Sequence, residues 1–350
     1  MSGGVDSSVA AYLLKKQGYD VIGLTFRGWP QDCRSIEEDK CCGPQAVADA
    51  RMVAHSLDIP YYVIDEIDTF RREVMEYFAA EYRRGRTPNP CVICNEKVKF
   101  GSLLRKAQAL GAEIIATGHY ARITQNSRYE LRRARDERKD QTYFLFSLNQ
   151  DQLARAIFPL GELTKAEVRT IAKEIGLKTY GKEESQEVCF VPENDYRRFL
   201  RESGVAERQG EMVTKEGRVL GHHRGIHNFT IGQREGLKLG GLKRPLYVIE
   251  LDAANNRVVV GTDDLLMRDQ FEVANCVWNI GSEDETGALN CLVKIRSNAE
   301  AVAATVGVLS EVNDLSRVRV RLHEPQRAVT PGQAAVFYRE DVVVGGGWIC

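Results

Sequence analysis

The densest chemistry in the sequence sits in seven residues at its start. Ser2-Gly3-Gly4-Val5-Asp6-Ser7-Ser8 sets two glycines, three hydroxyls and one carboxylate side by side. Glycines let backbone amides approach an anion, and hydroxyls at the opening of a helix complete a phosphate cradle. The Gly-Lys-Ser/Thr ending of a Walker loop is missing. A second group is Gly85-Arg86-Thr87-Pro88-Asn89-Pro90-Cys91-Val92-Ile93-Cys94-Asn95. Its two prolines predict an extended loop. The Cys91-x-x-Cys94 spacing suits a redox pair, a metal or cluster site, or a low-pKa nucleophile. Zinc would want two further ligands, and no second Cys-x-x-Cys or His pair at finger spacing follows. Cys189 stands alone, far downstream.

Two polar groups add to these. Thr117-Gly118-His119-Tyr120 closes a strand-like run, the place where α/β sheets expose ligand contacts. Lys139-Asp140-Gln141-Thr142-Tyr143-Phe144 mixes charge, amide and rings in a way that suits phosphate and base contacts.

The elements that must position these residues follow from periodicity. Val9 to Lys16 reads as an amphipathic helix stopped by Gly18, then Val21 to Phe26 as a buried strand. Helices over Ala46 to Leu57, Phe70 to Arg84 and Phe100 to Leu110 alternate with strands over Tyr61 to Ile64 and Glu113 to Thr117. That alternation implies parallel pairing and an α/β layer. Helices over Asp151 to Phe158 and Lys165 to Ile175 follow, the second opened by Thr164 with Glu167 three residues on, a capping box. Past residue 205 glycine becomes frequent. Short β-branched runs at 246–251, 257–260, 292–295, 302–309, 318–322, 335–338 and 342–344 predict an all-β barrel or sandwich. Boundaries near 195–205 and 262–268 divide the chain into domains 1–200, 201–264 and 265–350. A glycine-rich loop of this kind normally follows a strand, so an extra strand upstream of Ser2 is expected in the native protein or its relatives.

At 350 residues the chain is long enough for two or three domains. Its 43% apolar and 28% charged residues exclude disorder, collagen and simple coiled coil. No apolar run is long enough for a bilayer span and no signal-peptide pattern is present, so a cytoplasmic protein without a membrane partner is expected. Nine cysteines are too few for a disulfide scaffold at this length and point to thiol chemistry or metal in a reducing compartment. Cys276, Cys291 and Cys350 read as small buried apolar residues. Cys33, Cys41 and Cys42 share an acidic segment that reads as an exposed insertion, a second metal site or a docking segment. The net charge of −1 averages over unequal stretches. Arg83 to Lys139 carries 14 Lys+Arg against 5 Asp+Glu, and Lys215 to Arg244 carries 7 against 2. Basic stretches interleaved with Tyr and Phe predict an RNA partner.

The Ser2 to Ser8 loop resembles the pyrophosphate-loop signature of ATP pyrophosphatases, which adenylate a carbonyl oxygen. The whole chain resembles the bacterial tRNA-specific 2-thiouridylases. The likeness runs through the loop, Gly85 to Pro90, Ala116 to Ala121, Lys139 to Gln141, Gly221-His-His-Arg-Gly-Ile226, Phe229 to Arg234, Pro325 to Gln333 and Gly345 to Gly347. It implies an adenine-nucleotide α-hydrolase-like α/β domain with a parallel sheet, a small central domain and a C-terminal all-β barrel. It implies ATP and Mg²⁺, tRNA as substrate, and a sulfur-relay protein or cysteine desulfurase as persulfide donor. By the same resemblance Met1, Ser2, Gly3, Gly4, Val5, Asp6, Ser7, Phe26 and Gly118 bind ATP. Cys189 carries the persulfide and Cys94 is the nucleophile that resolves it, forming a Cys94–Cys189 disulfide or freeing hydrosulfide. Cys91 lies with Asn89 and Pro90 at the target base. His119, Lys139, Asp140, Gln141, Arg296, Ser297 and Gln333 contact tRNA.

The chain departs from the family at Cys91, where many members carry an aspartate. Aspartate serves as a general acid or base, whereas a thiol is a poor base and a good iron ligand. A second mechanism is therefore the same thiolation on a [4Fe–4S] cluster held by Cys91, Cys94 and Cys189. A more distant alternative is a pyrophosphate-loop amide ligase, which needs no cysteine pair.

Overall fold

The computed structural model describes residues 1–28, 43–181, 188–240, 244–279, 288–308 and 316–350. Cys33, Cys41 and Cys42 lie outside the described residues. Two compact units are present. The first contains 1–75, 90–195 and 341–343; the second contains 76–89, 196–340 and 344–350.

The first unit opens with α1 (Val5–Lys16), four residues earlier than periodicity predicts, because Val5 and Ser8 are buried with Val9 and Ala10. Strand β1 (Gly23–Arg27) follows, then α2 (Pro44–Ser56), whose first position is proline with a preset φ. Strand β2 (Tyr61–Asp65) pairs parallel to β1, with Gly23 opposite Tyr61 and Arg27 opposite Asp65. The helical stretch expected from Phe70 is α3 (Ile67–Phe70) and a π-helical turn Arg71–Met75 in this unit, and α4 (Glu76–Arg83), which belongs to the second.

The predicted extended loop through both prolines ends sooner than expected. Pro90 opens the short helix α5 (Pro90–Ile93), so Cys91 is helical. Proline at a first helical turn loses no backbone bond, since that N–H would be unpaired anyway. A ten-residue π-helix, Cys94–Leu103, continues into α6 (Leu104–Ala109). The short strand β3 (Ile115–Ala116) pairs parallel with β6 (Ala156–Ile157). Between them lies an antiparallel hairpin, β4 (Ala121–Gln125) and β5 (Tyr129–Arg133). The helix expected over Asp151 to Phe158 is instead α7 (Gln150–Leu153) followed by β6. A short apolar run fits either state, and here Ile115 and Ala116 offer parallel partners. Helix α8 (Lys165–Glu174) starts at the predicted capping box, with Thr164 and Glu167 exchanging both bonds. Val5, Val9 and Ala10 of α1 pack with Val168 and Ala172 of α8, and with Tyr120 and Leu160.

The second unit holds α9 (Tyr196–Glu202) and a four-stranded sheet of β7 (Gly210–Val213), β8 (Val219–His223), β9 (Tyr247–Asp252) and β10 (Arg257–Gly261), in the order β8-β7-β10-β9. Met212, Phe229, Val248, Val258 and Val260 form its core. The remaining strands are β11 (Met267–Trp278), β12 (Leu289–Lys294), β13 (Val302–Val308), β14 (Arg317–Arg327), β15 (Ala334–Arg339) and β16 (Val342–Ile349). They run β11-β14-β13-β12-β15-β16, and β16 pairs back onto β11, with Ala274 opposite Trp348. That closes a six-stranded barrel, as the β-branched runs predict. Phe337 and Tyr338 on β15 are fully buried.

Candidate functional site

The glycine-rich loop is built by the two residues whose backbones touch neighbours. Gly3 has φ +67°, and a Cβ there would stand 2.4 Å from the carbonyl oxygen of Ala46 in α2. Gly118, just past β3, has the same constraint from α1: a Cβ would lie 2.7 Å from Asp6 C and Ser7 N. In each case segments distant in sequence meet at van der Waals contact because the glycine carries no side chain there. Inside the loop, Ser7 Oγ accepts from Ser2 N at 3.1 Å and lies 3.2 Å from Ser2 Oγ, while Ser8 Oγ donates to Gly4 O at 2.8 Å. Met1 is tied to β1: its terminal ammonium donates to Leu24 O, and Thr25 Oγ1 donates to its carbonyl at 2.6 Å. These bonds hold the loop at the N-terminus of the twelve-residue α1, where unpaired amides and the helix dipole favour an anion.

Asp6 is the loop's acid and is fully engaged. Lys165 Nζ lies 2.7 and 2.8 Å from its two carboxylate oxygens, and Tyr120 Oη donates to Oδ1 at 2.9 Å. Sequence reasoning places Lys165 only as the first residue of a helix and misses it as part of this site. The missing signal is tertiary, since nothing local in Thr164-Lys165-Ala166-Glu167 shows that Asp6 lies opposite.

Phe26, expected beside the nucleotide, is buried at the end of β1. Its ring sits 5.9 Å from that of Phe70, which meets Phe190 edge-on at 5.7 Å. Phe190 follows Cys189, which is half-buried in a tight turn closed by Val191 N donating to Val188 O. An aromatic file thus joins the candidate nucleotide residue Phe26 to the neighbour of Cys189.

Cys91 is exposed and Cys94 is buried, 9% accessible, where α5 becomes the π-helix. π segments are rare and concentrate at functional sites. This one is braced from α7: Gln152 Nε2 donates to Glu96 O and Phe100 O, both at 3.0 Å. Asn95, 2% accessible, donates to Phe144 O at 2.9 Å. Among the described residues no group of three or more His, Cys, Asp or Glu side chains is assembled to hold a metal. Asp6 is the loop's only carboxylate and Lys165 holds both of its oxygens, so Mg²⁺ would be held chiefly by substrate phosphates.

The residues expected at tRNA divide between the units. In the first, His119 Nδ1 lies 2.7 Å from Thr117 Oγ1, and its ring stands between Phe100 and Phe158. Burial, and then the Lys99 charge, hold its imidazole well below the usual histidine range and therefore neutral. Gln141 exchanges bonds with Tyr120, its Oε1 accepting from Tyr120 N and its own N–H donating to Tyr120 O, both at 2.9 Å. Asp140 accepts from Ala134 N and Thr142 Oγ1, shaping the turn that carries half-buried Lys139. In the second unit Gln333 Nε2 donates to Thr87 O at 2.9 Å, bracing the segment before buried Asn89. Arg296 donates to Ala328 O and Thr330 Oγ1, and Ser297 is half-buried beside it. Of the cysteines expected to be structural, Cys291 is half-buried, its thiol pushed up to about 12 by burial. Cys276 is also half-buried. Cys350 is exposed, which corrects the expectation of a buried apolar role; it follows the last strand, β16.

Three family models match the chain in succession. They are the tRNA methyl transferase HUP domain over residues 1–193, the tRNA methyl transferase PRC-barrel domain over 197–262 and the aminomethyltransferase beta-barrel domain over 268–349. The tRNA-specific 2-thiouridylase MnmA of Clostridium perfringens is 47% identical over 352 residues, covering 100% of this chain and 96% of the relative. The protein of the same name from Geobacter metallireducens is 49% identical over 356 residues, covering 100% and 95%. Among solved structures, the U34-tRNA thiolase NcsA from Methanococcus maripaludis with its [4Fe-4S] cluster matches at a TM-score of 0.34 and 20% identity, over 58% of this chain and 60% of that one. A likeness at that level bears on neither function nor mechanism.

Proposed function

The chain belongs to the tRNA-specific 2-thiouridylase family, and from that premise we infer how its residues carry out ATP-dependent 2-thiolation of the wobble uridine of tRNA. The observation that carries the reading is the loop of Ser2 to Ser7 at the N-terminus of α1, closed from the opposite side by Gly118.

ATP lies with its phosphates on the amides of Gly3 to Ser7 and its base near Phe26 and Gly118. Mg²⁺, when bound, draws charge from the phosphate oxygens. The C2 oxygen of the uridine attacks the α-phosphorus, and pyrophosphate leaves. Donors already aimed by α1 meet the charge that develops, so the loop does not reorganise during the step. The terminal sulfur of a Cys189 persulfide then attacks C2 and AMP departs. The Cys94 thiolate attacks Cys189 Sγ, forming a Cys94–Cys189 disulfide and leaving the second sulfur on the base. A cellular thiol reduces the disulfide, and a sulfur-relay protein or cysteine desulfurase reloads Cys189. Cys91, Asn89 and Pro90 meet the target base. His119, Lys139, Asp140, Gln141, Arg296, Ser297 and Gln333 form the tRNA-contacting set. Several of these side chains are bonded within the protein, which suits residues that hold a surface in shape for RNA. The domains are 1–200, 201–264 and 265–350, and the cytoplasm is the compartment that such thiol chemistry needs.

Nucleoside mass spectrometry of tRNA from cells deprived of this protein tests the activity. Loss of 2-thiouridine derivatives at the wobble position is expected, and their persistence would refute it. Complementation with Cys94→Ser and Cys189→Ser tests the mechanism. Both variants are expected to release pyrophosphate in a tRNA-dependent manner while forming no thiolated base. Full thiolation by either variant would overturn the roles given to Cys94 and Cys189.

A further inference from the structure

An anion-binding loop that contains its own carboxylate works against itself. Asp6 is the only acid between Ser2 and Ser8, and a carboxylate a few ångströms from a polyphosphate repels it strongly in a partly desolvated site. We propose that Lys165 is a positioning residue of the nucleotide site. Its ammonium cancels the charge of Asp6 and so makes the loop able to accept ATP. This rests on the reading that the loop binds ATP.

Lys165 is placed where a lysine is otherwise disfavoured on two counts. It is 8% accessible, and lysine is seldom buried unless paired. It is also the first residue of α8, the positive end of the helix dipole, where a cation is least welcome. Both costs are accepted for a partner on another element. Nζ reaches both carboxylate oxygens of Asp6, at 2.7 and 2.8 Å, and stands 5.7 Å over the ring of Tyr120, whose hydroxyl donates to the same carboxylate. The backbone of Lys165 is fixed as well. Its N–H donates to Asp136 Oδ2 at 2.9 Å, and the Thr164–Glu167 capping box sets the preceding turn. A stem anchored at that end has one place to put its charge. Asp6 in turn belongs to the first turn of α1, whose amides face the phosphate position, so the pair neutralises the loop and orients it together.

The test is ATP affinity of the full chain, measured by equilibrium dialysis in Mg²⁺-free buffer with EDTA, alongside thermal midpoints. Lys165→Met is expected to weaken ATP binding by about tenfold or more, since one unbalanced charge remains beside the phosphates. Lys165→Arg, which keeps the charge, should stay within a few-fold of wild type. In the double variant Asp6→Asn/Lys165→Met neither charge remains, and affinity should return most of the way. A lysine that merely held the fold together would not be rescued by a second neutralisation. Wild-type affinity in Lys165→Met overturns the inference, and so does a double variant as weak as the single one. If Lys165→Met does not fold, the double variant decides alone: it must bind ATP within a few-fold of wild type. Failure of the wild-type protein to bind ATP at all, both with EDTA and with Mg²⁺ restored, would instead remove the reading of the loop on which this rests.

Discussion

At the scale of single residues, the site depends on what is absent as much as on what is present. Gly118 is the clearest case, because a methyl group there meets main-chain atoms that cannot rotate away. Gly118→Ala is expected to weaken ATP binding strongly and to lower the thermal midpoint; unchanged affinity in a dialysis titration would show that α1 can shift. His119 gives a prediction in pH. Its folded-state pKa lies below the ordinary value, so the unfolded chain takes up a proton below about pH 6.5 that the folded chain refuses. Stability is therefore lost as pH falls through that value, with no contribution above it. His223 and His227, lowered chiefly by burial, act in the same direction. Urea midpoints between about pH 7.5 and 5 should fall less steeply for His119→Gln than for wild type. What is local was legible from sequence: the glycine-rich opening of α1, the capping box and the placing of Gly118 after a strand. Lys165 was not, since its partner lies across the fold on α1.

At the scale of elements, α8 and the π-helix carry the precision of the site. The capping bonds Thr164 N to Glu167 Oε2 at 2.7 Å and Glu167 N to Thr164 Oγ1 at 3.3 Å start α8 one residue before Lys165. Thr164→Ala should cost about 1 kcal/mol of stability and blunt ATP affinity with it, read from urea unfolding at constant m-value and from dialysis. The π-helix was invisible in the sequence, since its hydrophobic spacing differs little from an α-helix over ten residues. Gly101 makes it possible: a Cβ there would approach Glu96 O to 2.9 Å, the oxygen that also accepts from Gln152. Gly101→Ala should cost roughly 1–3 kcal/mol, as overpacking does, and slow sulfur transfer by displacing Cys94. Wild-type thiolation in single turnover would refute the link. The residues of strand β6 read as helix in sequence because an apolar run of that length has no period of its own, and only its parallel partner β3 decides it.

At the scale of the whole molecule, the charge arithmetic needs correction by structure. The basic stretch from Arg83 to Lys139 has partners outside itself: Glu81 takes Arg84 and Arg86, Asp341 takes Arg122 and Arg132, Glu167 takes Arg135, and Glu66 takes Lys106. Much of the excess is thus spent within the protein. The salt dependence of tRNA binding should report fewer phosphate contacts than the 14 basic residues suggest. Lys139→Ala should lower the slope of log K against log salt by about one, and Arg84→Ala should leave it unchanged. The barrel was legible from its runs of β-branched residues, but its closure was not, because β11 carries no such run at its polar start and pairing is a property of two strands. That closure also has a bearing on how the chain is made. The first strand of the barrel is sealed by the last, through residues 345 to 349. Translation delivers residues from the N-terminus, so the α/β unit has most of its chain available early. The barrel cannot be completed until residue 349 has been synthesised and has cleared the ribosome, so its closure comes after the rest of its strands are available.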